Sequence, residues 1–118
     1  MPIVVVTALP ADPPVVERLL VRLAEQVADA VSCGVGDVWC SFVPAATQTI
    51  GDRIVGSDGQ CPIVIIRGRA RDTDRVAAGM AAAARVTSAE LGVPFEDVWI
   101  QWIDVEPGRA FAGGAIIG

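Results

Sequence analysis

The chain has 118 residues, enough for one domain with its own core. Arginine supplies all nine positive charges against fourteen acids, and the net charge of −5 argues against a nucleic-acid face. Histidine is absent, Cys33, Cys40 and Cys61 lack CxxC spacing, and no apolar run approaches the ~20 residues of a membrane helix, which disfavours a zinc site and a membrane span.

The N-terminus lacks the basic region of a signal peptide, so free thiols and a cytoplasmic location are expected. At 53% apolar residues and a mean hydropathy of +0.52, the chain has more apolar surface than one small domain needs inside. The surplus is expected in a subunit interface.

Met1-Pro2-Ile3-Val4-Val5-Val6 opens the chain as a buried strand of β-branched residues. Proline is tolerated at its head, where no ladder donor is needed. Asp12-Pro13-Pro14 then predicts a helix start, with Asp12 as N-cap and proline in the first turn. Val16, Leu19, Leu20, Leu23, Val27 and Val31 follow at helical spacing, and Gly34 is expected to end the helix. Asp37 to Val43 reads as a second strand. Pro44 to Gln60 is long for a connection and is either a functional loop or the host of a short edge strand near Ile54-Val55.

The pattern then restarts. Cys61-Pro62-Ile63-Val64-Ile65-Ile66 repeats the opening. At the same offset Asp72 repeats Asp12, and Asp97-Val98-Trp99 repeats Asp37-Val38-Trp39. Val76, Met80, Ala83, Thr87 and Leu91 mark a second helix that Gly92 closes. The fold class is therefore α/β (α+β). One domain spans 1–118, built from two tandem β-α-β units, 1–60 and 61–118. Right-handed crossovers make the strands within each unit parallel, in a four-stranded mixed sheet with both helices on one face. The other face is apolar at alternate positions and is expected to be covered by other subunits. Pro107 to Gly118 carries Phe111, Ile116 and Ile117 among glycines, and reads as an arm that pairs with a neighbour.

Two stretches suggest chemistry. With Met1 removed, Pro2 becomes a secondary amine at the end of a buried strand. An α-amino group titrates near pH ~8, and lower when buried or set among cations, so it could act as a base or acid near neutrality. With Met1 kept, Pro2 is a tertiary amide without that capacity, and its strand is simply core. The lack of His, Lys and Tyr leaves few other proton carriers. Arg67, Arg69 and Arg71 alternate and would put three guanidiniums on one face. They form either a solvated edge paired with Asp72 and Asp74 or a bidentate clamp for a carboxylate.

An N-terminal proline on a doubled β-α-β unit resembles the tautomerase superfamily over nearly the whole length, at the chain length of macrophage migration inhibitory factor. The resemblance implies a closed trimer, active sites at subunit boundaries, Pro2 as the catalytic amine and no cofactor. Within the superfamily, Pro62 to Arg71 followed by Asp72 to Arg75 is similar to the arginine-bearing turn of the malonate semialdehyde decarboxylase and cis-3-chloroacrylic acid dehalogenase group. That likeness places Asp37 where the decarboxylase handles water and Phe111-Ala112-Gly113-Gly114 as a tail over the site. It gives Arg69, Arg71, Gln101 and Phe111 to substrate binding, with Arg75 as the second arginine if the turn is one residue longer. The chain departs from the dehalogenase at Val31, where a histidine is expected, and at Gln101 or its neighbours, where a tyrosine is expected. It also has no clear match for the late glutamate near Ala110.

Asp37 also has a plain alternative, since Asp97 holds the same place in the repeat and such residues often cap turns. Trp39, Trp99 and Trp102 read as core or interface, and Cys40 as a small mid-strand hydrophobe. The expected function is a cofactor-free enzyme acting on a small oxo or unsaturated carboxylic acid by tautomerisation, hydration or decarboxylation. The rival is a non-catalytic trimeric module that kept the fold.

Overall fold

The computed structural model describes residues 1–56 and 59–118. β1 (Ile3–Ala8) leads into α1 (Pro13–Val31), a 3-10 turn at Val35–Asp37, and β2 (Trp39–Pro44). A two-residue hairpin follows, β3 (Thr49–Ile50) and β4 (Arg53–Ile54). The second unit repeats the order with β5 (Ile63–Arg69), α2 (Thr73–Leu91), a 3-10 turn at Phe95–Asp97, and β6 (Trp99–Val105). It ends in the hairpin β7 (Phe111–Ala112) and β8 (Ala115–Ile116).

The sheet order is β2-β1-β5-β6, parallel within each unit and antiparallel where β1 meets β5. The four-stranded mixed sheet expected from the repeat is present. Alternation along the strands decides which face is buried. Val4, Val6 and Ala8 of β1 and Val64 and Ile66 of β5 face the helices and are buried. They form one cluster with Leu19, Leu23 and Val27 of α1 and Ala83 and Val86 of α2. The opposite face carries Trp39, Ile63, Arg67, Trp99 and Ile103, all exposed in the single chain.

The caps differ from expectation in instructive ways. Asp12 sits at the N-cap of α1, but its carboxylate makes no capping bond. Pro13 and Pro14 occupy the first helical positions and have no N–H to give, so the Asp12 carbonyl takes Val15 N at 2.9 Å and Val16 N at 3.1 Å instead. Asp72, without those prolines, accepts from Arg75 N at 2.9 Å. Ser32, not Gly34, ends α1, in the left-handed region at φ 61°. Gly92 fills the matching place after α2 at φ 67°. On α2 the buried stripe runs through Gly79, Ala82, Ala83 and Val86, while Val76, Met80 and Leu91 are half-buried. Small residues let α2 approach α1 closely: a Cβ at Gly79 would lie 2.9 Å from Val31 Cγ1.

The connection from Pro44 to Gln60 holds a short strand at Arg53–Ile54, the second of its two expected alternatives, paired with Thr49–Ile50 in the β3–β4 hairpin; positions 57 and 58 lie outside the described residues. The C-terminal arm folds back on itself: Gly108 N donates to Ile117 O and Ile117 N to Ala110 O, both at 2.8 Å.

Candidate functional site

The head of β1 is stitched to β2 by Trp39 N, which donates to Pro2 O at 3.1 Å. Pro2 itself is fully buried behind Met1. Because β5 runs antiparallel to β1, with Ile3 opposite Arg67, the arginine end of β5 arrives at the N-terminal end of β1. The 3-10 turn before β2 and the C-terminal hairpin close on the same spot. A cavity of about 700 Å³ results, lined among others by Met1, Asp37, Trp39, Arg69, Arg71 and Phe111.

The structure thus brings together Asp37, Arg69, Arg71 and Phe111 around the residue that precedes Pro2. Asp37 is the last residue of the 3-10 turn and not the first of a strand. Its backbone N–H donates to Gly34 O at 3.0 Å, which fixes the turn. Arg75 does not line the cavity. It lies in the first turn of α2, 3.8 Å from the Asp72 carboxylate, an exposed i,i+3 pair of small energetic weight. Gln101 lies elsewhere too, in a second cavity of about 570 Å³ with Pro62, Asp97 and Trp99.

The arginine strip is split. Arg67 and Arg69 share the open face, on either side of buried Gly68. Arg71 lies beyond the strand, half-buried; its Nη1 donates to Arg69 O at 3.3 Å and its Cζ stands 5.7 Å from the centroid of the Trp102 ring. Among the described residues, neither Arg69 nor Arg71 has a carboxylate within 4.0 Å. Two guanidiniums without an acidic partner beside an open cavity favour an anion there.

Residue-type reasoning missed Trp39 and Ile117 as lining residues, because the repeat makes Trp39 look like packing and the hairpin that carries Ile117 has no sequence signal beyond its glycines. Cys33 also lines the cavity. Cys40 is held in the sheet, where burial pushes its thiol up to about 11, as expected of a packing cysteine. Among the described residues no group of three or more His, Cys, Asp or Glu could hold a metal ion, and no helix is long and apolar enough to cross a membrane.

No protein-family model matches the sequence, and no curated protein matches it. Solved structures do. Pt0534 inactivated by 2-oxo-3-pentynoate superposes with a TM-score of 0.83 at 15% identity, over 97% of this chain and 94% of that one. Native fused 4-OT gives 0.81 at 20% identity over the same shares. A macrophage migration inhibitory factor-like protein of Entamoeba histolytica gives 0.84 at only 7% identity, over 98% and 97%. Agreement over whole chains at such identities establishes the architecture: the chain has the tautomerase-like fold of the 4-OT and migration-inhibitory-factor proteins.

Proposed function

We propose that the chain, as one tautomerase-like domain over residues 1–118, is a cofactor-independent enzyme of the tautomerase superfamily acting on a small 2-oxo, 3-oxo or unsaturated carboxylic acid. Met1 is removed in the active form, and Pro2 supplies the general base or acid. The observation that carries this reading is the cavity where Met1, Asp37, Arg69, Arg71 and Phe111 meet.

The chemistry follows from that placement. Removing Met1 turns the Pro2 amide into a secondary amine at the cavity wall. Arg69 and Arg71 hold the substrate carboxylate and favour the neutral amine, which can then take a proton. The enolate-like charge that develops is stabilised by the same fixed cations. Asp37 orients a water or returns the proton, and Phe111 covers the apolar end. Keto–enol tautomerisation needs only these parts. Hydration or decarboxylation, as the malonate semialdehyde decarboxylase likeness implies, would use Asp37 on water with a protonated amine. Other fused 4-OT structures are trimers. A homotrimer here would cover the open face that bears Trp39, Ile63 and Trp99.

The test combines mass and kinetics. The intact protein should lack one Met, turn over phenylenolpyruvate, 2-hydroxymuconate or 3-oxopropanoate with a single controlling ionisation, and take one 2-oxo-3-pentynoate on Pro2. A Met-free protein that does none of these overturns the enzyme reading and leaves the binding module.

A further inference from the structure

We propose that Trp102 is a positioning residue, holding the Arg71 guanidinium at the mouth of the Pro2 cavity and so setting affinity for the carboxylate. The proposal rests on the anion-binding reading of that cavity given above.

Trp102 belongs to the helix-facing side of β6, opposite Ile66 of β5, and not to the open face. Room for its indole is made by Gly68, where a Cβ would come 2.8 Å from Trp102 Cζ2; Gly79 of α2 lies on its other side, where a Cβ would meet Trp102 Cζ3 in ordinary contact at 3.5 Å. The ring is therefore seated between β5 and α2. Its Nε1 donates to Asp104 Oδ1 at 3.0 Å, which fixes the ring along its long axis.

Onto this plate the chain lays Arg71. Its Cζ is 5.7 Å from the ring centroid, inside the range of a cation–π contact. Its Nη1 donates to Arg69 O, two residues back, and lies 3.3 Å from where a Gly68 Cβ would be. An arginine just past the end of a strand has many rotamers open to it. Here the ring and the Arg69 carbonyl select one, and that one lines the cavity. Holding the fork before substrate arrives lowers the entropy lost on binding. Among the described residues Arg69 has no such support.

The direct readout is the Arg71 side-chain Nε–Hε resonance, assigned by its loss in Arg71→Lys. In the wild-type protein it should be displaced by the indole ring current. It should move to the position of a free arginine in Trp102→Leu and stay displaced in Trp102→Phe, which keeps an aromatic face. In parallel, KM for phenylenolpyruvate, or Kd for 3-phenylpropanoate, which has no 2-oxo group to enolise, should rise roughly three- to thirtyfold in Trp102→Leu, as expected for the loss of such a contact at about 1.4 kcal/mol per tenfold. kcat should fall as well, because the same guanidinium stabilises the enolate-like charge, and Trp102→Phe should recover most of both. Where Trp102→Leu does not fold, Gly68→Ala asks the same question, since its Cβ must displace the ring or the guanidinium. An Arg71 resonance at the free-arginine position in the wild-type protein, or unchanged affinity in a folded Trp102→Leu, overturns the positioning role. A displaced resonance in a protein that binds neither carboxylate overturns the enzyme reading instead.

Discussion

At the head of β1, Trp39 N donates to Pro2 O at 3.1 Å; at the head of β5, Trp99 N donates to Pro62 O at 3.0 Å. Both prolines are fully buried; Pro62 lines one cavity and Pro2 lies between Met1 and Ile3, which line the other, and each cavity includes the aspartate that closes a 3-10 turn, Asp97 or Asp37. Each cavity also borrows a hairpin from the other half: β7–β8 stands over the Pro2 cavity, and Thr49 to Gly51 lines the Pro62 cavity. The backbone has thus built the same recess twice. The side chains then separate them. The Pro2 cavity holds Arg69 and Arg71, whereas the matching places in the first copy of the repeat are Leu9 and Ala11. Among the described residues the Pro62 cavity has no arginine, and has Glu96 where the first has Gly36. Among the described residues only the first cavity is lined by guanidiniums, the groups the proposed carboxylate would need. Duplication supplied the recess, and divergence at the strand ends gave one copy its charge.

The largest effect expected from breaking this comparison is at the prolines. In the Met-free protein, Pro2→Ala should lower turnover by roughly 10²-fold or more, the usual worth of a positioned acid or base. A primary amine in the same place accounts for whatever rate remains. Pro62→Ala should leave turnover alone and cost about 1 kcal/mol of stability in denaturant titration, because the unfolded chain gains freedom. Equal losses of activity in both would erase the distinction.

Next in size are the arginines. Arg69→Ala and Arg71→Ala should each weaken binding of an acidic substrate by roughly 1.5–3 kcal/mol, read as KM, with little change in folding. Gln101→Ala should leave KM unchanged, because within one chain Gln101 belongs to the Pro62 cavity. A KM increase as large as the arginines' would bring Gln101 into the site through a neighbouring subunit.

The two halves also differ in how their helices stop. Ser32 accepts the left-handed conformation that Gly92 adopts freely. Ser32→Gly should therefore stabilise the protein by about 0.5–1 kcal/mol, and Gly92→Ser should destabilise it by a similar amount, both measured by thermal unfolding. Opposite signs are the point of the pair; equal signs would mean that the caps are not equivalent.

The smallest effect concerns the clasp between the halves. Arg18 Nε and Arg22 Nη1 of α1 both reach Glu90 of α2 at 2.7 Å. Hydrogen bonds first from Arg22 and then from Arg18 hold the Glu90 carboxyl below its ordinary value. A lowered folded-state pKa means that the associated stability is present above the unfolded value of 4.5 and is lost as pH falls through the folded one. Glu90→Gln should be slightly less stable than wild type at neutral pH, and the gap should close in acid. A gap that does not change with pH would show that the clasp works by shape and not by charge.

Much of this molecule was legible in residue order. The internal repeat implied the sheet, its parallel pairs and the two helices, because alternation in Val4, Val6, Val64 and Ile66 and helical spacing in Leu19, Leu23 and Val27 are local consequences of backbone geometry. Arg69 and Arg71 were readable as candidates from their kind and their alternation, and Asp37 and Phe111 from the family resemblance. The errors fell at ends and turns. Asp37 belongs to a 3-10 turn, and Ser32 takes the cap in place of Gly34. Such details depend on which backbone groups find partners, and neighbours in sequence do not settle that.

Residue order alone dictated two copies of one unit, their buried stripes and a proline one residue from the start. Packing of the whole chain settled which residues share a cavity. The antiparallel meeting of β1 and β5 carries Arg69 to the head of the first strand, while Arg75 winds into α2 and Gln101 lines the other recess. It also settled that Arg71 rests on Trp102, since that contact needs Gly68 on β5 to leave space for a ring carried by β6. Pattern within a strand or helix is fixed by covalent geometry over a few residues, whereas a cavity is made where distant segments stop, and that depends on how all of them come together.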